Sequence, residues 1–225
     1  MTRPDRDAAG RMLRAATMPL RVAANSARLL RSVLMADFLS AYALTQTDKL
    51  AMIDDRPDGT IITYTFGELN AASNRLANVL LDLGARPGHS KVVWCGQNST
   101  GLVLMINAAR KLGITAVPLN YRLSDDEATY VTDHSDATIV YVDAEFAAMF
   151  DRIGGDLPKV EHTLVFDGAV PDGMIDVDTL IAAASATDPV IPPGTEAGAT
   201  MIYTSGTTGK PKGVLRRGTA GAEQA

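Results

Sequence analysis

Between residues 60 and 166, short apolar runs alternate with amphipathic stretches about every 25 residues, and this constrains the fold more than anything else in the chain. The runs are KVVWC (91–95), TAVPL (115–119), ATIVYV (137–142) and HTLVF (162–166). They lack an alternating polar face, so both faces of each strand must be covered. Helical patterns separate them. Thr65-Phe66-Gly67-Glu68 is a capping-box sequence, after which Leu69, Ala72, Leu76, Val79 and Leu83 share one helical face, with Gly84 placed to end it. Ser99 is placed to cap a helix running to Leu112, stopped by Gly113. Ser124 to Glu127 is a second capping box, opening a helix to about His134, and another helix is expected over 144–153. Ahead of these, LAMID and TIITY flank the turn-rich DRPDG and read as a β-hairpin. The expectation is an α/β fold, a mostly parallel sheet with helices on both faces.

The two ends differ from this middle. Residues 1–35 hold seven arginines (3, 6, 11, 14, 21, 28 and 31) against Asp5 and Asp7, a net +5, so a chain of net −5 has a remainder of −10. An acidic body argues against a nucleic-acid-binding protein. The basic arm mixes Arg with Met, Leu and Val over 11–35, with Pro19 separating two short helical stretches. Three readings stay open: a leader helix or frayed arm on the domain, a peripheral membrane contact, and an organellar presequence. The arginines interrupt any secretory core. No apolar run reaches the roughly 18 residues that suggest a membrane span. The single cysteine, Cys95, precludes an intrachain disulfide and suits a reducing, cytoplasmic setting. Cys95 and Trp94 read as core, and His89, His134 and His162 have no metal-ligand spacing. The run Asp125–Glu127 reads as a helix N-terminus rather than as paired catalytic acids.

Residues 167–200 are rich in Ala, Pro and Gly and read as a segment lying over the surface; strand character resumes in ATMIYT and runs straight into YTSGTTGKPKG (203–213). The division expected is an arm (1–35), the α/β unit (36–181), a linker (182–200), and a loop with the truncated start of a second subdomain (201–225). The loop brings Thr204, Ser205, Thr207 and Thr208 hydroxyls together with Gly206, Gly209, Lys210 and Lys212. Glycines bring backbone N–H groups close to an anion, hydroxyls add donors and lysines add charge, a set suited to polyphosphate. It is not the kinase-type phosphate loop: only two residues, not four, separate Gly206 from Gly209, and Pro211 follows Lys210, which disfavours an NTPase reading. Apolar residues after Gly213 favour strand–loop–strand.

YTSGTTGKPKG resembles the signature loop of the adenylate-forming superfamily, which includes acyl-CoA synthetases, and matches its fixed positions. TYTFGELNAASNRLANVLLDLGARPG, QNST and LGITAVPLNYRLSDDE are similar to further family stretches in the expected order, so the resemblance covers roughly 36–217. It implies a ligase that joins a carboxylic acid, here of fatty or related lipophilic type, to ATP as an acyl-adenylate and then to CoA, with Mg²⁺ as the metal. It implies that the loop wraps the β- and γ-phosphates, with Lys212 at the recurring lysine and Lys210 at a variable place. The Mg²⁺ ligand, acyl pocket and catalytic lysine of such ligases have no counterpart here. VLRRGTAGAEQA, with Arg216 and Arg217, departs from the usual continuation. The expectation is an N-terminal portion inactive by itself, from an early stop, a split gene or a cut piece. The alternative is a non-catalytic remnant that binds a nucleotide or partner.

Overall fold

A computed structural model describes residues 23–35, 37–56, 58–204 and 210–217. The first helix, α1, covers 23–34, and α2 (Phe38–Thr45) follows, capped by Asp37. β1 (Leu50–Asp55) and β2 (Ile61–Thr65) form the expected antiparallel hairpin, a small sheet of its own. α3 (Phe66–Asp82) begins on the full Thr65–Glu68 capping box. Then come β3 (Lys91–Cys95), α4 (Thr100–Leu112), β4 (Thr115–Leu119), α5 (Asp125–His134), β5 (Ile139–Asp143), α6 (Ala144–Ile153) and β6 (His162–Phe166). They are followed by β7 (Ile175–Asp176), α7 (Val177–Ala183), β8 (Ala199–Thr204) and β9 (Lys212–Arg217).

The main sheet has seven strands in the order β7-β6-β5-β3-β4-β8-β9, parallel except for β9. Its inner strands are buried on both faces. Val92, Trp94, Ala116, Ile139, Tyr141 and Leu164 pack toward α3 and α4; Val93, Cys95, Val117, Val140, Val142 and Val165 pack toward α5 and α6. This is the α/β architecture expected from the unbroken apolar runs. Burial pushes the Cys95 thiol up to about 12, so it is an inert core group. β4 lies on one side of β3 and β5 on the other, and the helices that follow β3 and β5 go to opposite faces. The chain therefore has a topological switch point at the carboxyl ends of β3 and β5, where open α/β sheets hold ligands.

Two local features differ from the expectation. Ser99 occupies the N-cap of α4, yet its hydroxyl makes no cap bond. Asp54 of β1 takes that role, accepting from Thr100 N (3.0 Å) and Thr100 Oγ1 (2.6 Å), because a carboxylate is the stronger acceptor at a helix N-terminus. Within 167–200 the structure forms β7 and α7, the latter capped by Asp176 through Thr179 N. Between α7 and β8 the segment is irregular, and it is held on α3: Asn74 Nδ2 donates to Ala186 O (2.9 Å), and Asn78 Nδ2 to Ser185 O (2.8 Å) and Thr187 O (3.1 Å). These amides satisfy carbonyls that a strand would otherwise pair. The main sheet also takes in residues 201–204 and 212–217, since β8 pairs with β4 and β9 with β8.

Gly113 ends α4 at φ +68°, where a Cβ would collide with the Glu196 carbonyl oxygen. The left-handed turn and the close approach of 195–196 both require glycine there.

Candidate functional site

The YTSGTTGKPKG sequence joins β8 to β9 at the carboxyl edge of the parallel strands, the edge that also carries the loops after β3, β4 and β5. Thr204 is the last residue of β8 and Lys212 the first of β9, and they are register partners across the mouth of the hairpin. Ser205, Gly206, Thr207, Thr208 and Gly209 lie outside the described residues. Side chains alternate across a strand and register partners share a face. Tyr203 packs on the α5 side of the sheet, so Thr204 and Lys212 face the opposite side, that of α4.

α5 braces the base of the loop. Tyr130 Oη donates to Pro211 O (3.2 Å), and His134 Nδ1 and Tyr203 Oη are hydrogen-bonded at 2.8 Å. Tyr130 and His134 stand four residues apart, so both reach the hairpin from one helix face, with ring centroids 5.2 Å apart. The His134 and Tyr203 rings meet edge-on at 5.7 Å. Burial and the neighbouring Tyr130 and Asp136 push the Tyr203 phenol up to about 12, so it stays a neutral hydrogen-bonding group. Gly213 lies opposite Tyr203, and a Cβ there would come within 3.1 Å of the ring. The last glycine of the signature thus leaves room for the tyrosine that anchors the hairpin.

The two lysines part company. Lys210 Nζ sits 4.8 Å from the Tyr130 ring centroid, a cation–π contact on the α5 side. Lys212 is exposed and has no ion pair among the described residues. Beside the hairpin lies a hollow of about 320 Å³ lined by Pro118, Leu119, Asn120, Leu123, Glu127, Val131, Tyr203 and Pro211. The Glu127 carboxylate is already used there by Ser124, through its N–H at 2.9 Å and its hydroxyl at 3.0 Å.

The switch point itself is polar. Gln97 N donates to Asp143 Oδ2 at 3.0 Å and Gln97 Nε2 to Glu145 at 2.9 Å. Arg56 pairs with Asp54 and Asp167. Burial raises the Asp143 carboxyl to about 6, with Asp167 and Glu145 adding to the rise and Arg56 opposing it. A Cβ on Gly96 would collide with Asp143 Oδ2, so the carboxylate lies directly on that backbone. Among the described residues no three His, Cys, Asp or Glu side chains come together as a metal site.

Thr204, Lys210 and Lys212 thus flank one loop at the carboxyl edge of the parallel strands, Lys210 toward α5 and the other two toward the α4 side. Tyr130 and His134 are its supports, which the sequence alone does not single out; their i, i+4 spacing on α5 is the available signal.

The AMP-binding enzyme family matches residues 39–218, and the chain belongs to that family. Its relatives include the crotonobetaine/carnitine–CoA ligase of Escherichia coli O1:K1 / APEC, 33% identical over 171 residues, or 74% of this chain and 33% of the relative. Among solved structures, an anthranilate CoA ligase in complex with anthranoyl-AMP superposes with a TM-score of 0.72 at 27% identity, over 80% of this chain and 34% of that one. A fatty acyl CoA synthetase of Mycobacterium tuberculosis gives 0.70 at 27% identity, over 82% and 34%. The chain therefore spans about a third of the length of these relatives.

Proposed function

We propose that this chain supplies the ATP-gripping portion of an ATP-dependent acyl-CoA synthetase. In the longer protein a carboxylate attacks the α-phosphate of ATP, giving an acyl-adenylate and pyrophosphate, and the CoA thiol then takes the acyl group as a thioester, releasing AMP. The observation that carries the reading is the β8–β9 hairpin, which holds a glycine- and hydroxyl-rich loop on the ligand edge of the sheet with Thr204 and Lys212 facing each other. Hydroxyls of Thr204, Ser205, Thr207 and Thr208 and the backbone at Gly206 and Gly209 would hold the β- and γ-phosphates. Lys212 would stabilise charge on the departing pyrophosphate. Lys210, held on Tyr130, would add charge from the other side. The acid is of fatty or related lipophilic type, a reading supported by the fatty acyl relative and by the amphipathic arm. We place the protein in the cytoplasm, with peripheral membrane contact through the arm.

β9 is exposed along its whole length, so this face of the hairpin is uncovered in the chain. Positioning of reactants supplies about 7–11 kcal/mol of barrier lowering in well-aligned reactions, and a lone loop cannot replace it. Incubated with a fatty acid, ATP and CoA, the chain alone is expected to release no pyrophosphate above the enzyme-free blank. Fused in frame to the part of a related CoA ligase that follows this loop, it is expected to release pyrophosphate in an acid-dependent way. Turnover by the chain alone contradicts the partial-ligase reading. A folded but silent fusion favours the second reading, a nucleotide-binding remnant without catalysis.

A further inference from the structure

Helix α1 carries its residues in two opposed stripes. One is spent on the protein. Arg28 Nε meets Asp188 Oδ2 at 2.7 Å, Arg31 Nη2 donates to Pro189 O at 3.1 Å, and Ser32 and Met35 are buried. At 100° per residue the other stripe falls on Leu29, Leu30, Val33 and Leu34. These are 42%, 62%, 46% and 62% exposed, and Phe38 at the start of α2 is 54% exposed. Isolated exposed leucines are ordinary, but a continuous row of large apolar side chains marks an interaction surface.

The charge pattern says which kind. The segment that precedes α1 in the sequence carries Arg3, Arg6, Arg11, Arg14 and Arg21 against Asp5 and Asp7, a net +3, while residues 36–225 carry −10. An apolar stripe on a short helix next to a basic segment is the combination that holds a helix in the plane of an anionic bilayer. Like charge disfavours pairing two such arms in a dimer, and the acidic body is repelled from an anionic surface, which leaves the arm as the side that approaches. No helix among the described residues is long and apolar enough to cross a membrane, so α1 would lie on the surface.

We propose that α1 docks on anionic phospholipid, with Leu29, Leu30, Val33 and Leu34 entering the headgroup–acyl boundary. The body stays attached through the Arg28 and Arg31 contacts to 188–189, which fix its orientation at the surface. This does not depend on the ligase reading.

Co-sedimentation of the full chain with vesicles tests it. The chain is expected to pellet with phosphatidylglycerol–phosphatidylcholine vesicles and to remain largely in solution with phosphatidylcholine alone. Raising salt from about 0.1 M to about 1 M, which shortens the Debye length from roughly 10 to 3 Å, weakens the binding. Leu30→Glu with Leu34→Glu lowers partitioning by about tenfold or more, with no change in thermal midpoint because both positions are exposed. Arg11→Gln, Arg14→Gln and Arg21→Gln together lower it on anionic vesicles. Failure to pellet with anionic vesicles overturns the proposal, as does pelleting that ignores the glutamates. So does a dimer in light scattering that the glutamates abolish without any vesicle binding, which would assign the stripe to a second copy.

Discussion

Lys111→Ala is expected to lower unfolding free energy by about 3–5 kcal/mol, the cost of leaving one partner of a buried ion pair uncompensated. Lys111 is 2% exposed on α4, and its ammonium has three donors and three acceptors: Asp37 Oδ2 at 3.1 Å, Ser40 Oγ at 2.5 Å and Asn70 Oδ1 at 2.7 Å. Asp37 in turn caps α2 through Ser40 N and accepts from the Ser40 hydroxyl. One ammonium therefore ties the cap of α2, helix α3 and helix α4 together. Burial lowers the Lys111 pKa and the Asp37 charge opposes that fall, so the lysine depends on its partner. Removing the lysine strands a carboxylate at 8% exposure. Urea denaturation of Lys111→Ala, Asp37→Ala and the Lys111→Ala/Asp37→Ala double variant measures the coupling. The double variant should lose less than the two single losses combined. A loss below about 1 kcal/mol for Lys111→Ala, the range of exposed pairs, would contradict the network.

The second large effect depends on pH. The Asp143 carboxyl rises from 3.8 to about 6, first because burial disfavours its charge. Its folded pKa is raised, so the protonated acid costs nothing below the unfolded value near 3.8. The ionisation cost grows as pH climbs and is complete above about 6. The Asp143→Asn variant keeps an acceptor for Gln97 N and removes the charge. It should be more stable than the parent by about 1–3 kcal/mol above pH 7, with the gain vanishing near pH 4. Thermal denaturation over that range tests it. A difference that does not vary with pH would show that Asp143 ionises freely in the folded state.

The parts of this structure legible in the sequence are those decided locally. Each inner strand is legible because both its faces are buried, and α3 and α5 because Thr65–Glu68 and Ser124–Glu127 are complete capping boxes. What stays hidden rests on partners distant in the chain. Ser99 has the look of the cap of α4, but Asp54, from the hairpin 46 positions away, holds Thr100. Nothing beside Lys111 in the sequence points to its partner, which lies 74 positions upstream. β7 and α7 are too short to show periodicity against an Ala- and Pro-rich background. At the site, Thr204, Lys210 and Lys212 can be read as one group because motif residues are adjacent in sequence. The braces Tyr130 and His134 cannot, because α5 meets β8 only through the fold; His134 lies 69 positions from Tyr203.

The central claim is that the β8–β9 loop grips the terminal phosphates of ATP, and calorimetric titration of the full chain tests it most directly. ATP is expected to bind measurably and AMP, which lacks those phosphates, far more weakly. Lys212→Ala is expected to weaken ATP about tenfold, the loss of one charge-assisted contact of roughly 1.5 kcal/mol, without altering AMP. No heat with ATP, or equal affinity for ATP and AMP unaffected by Lys212→Ala, would contradict the account.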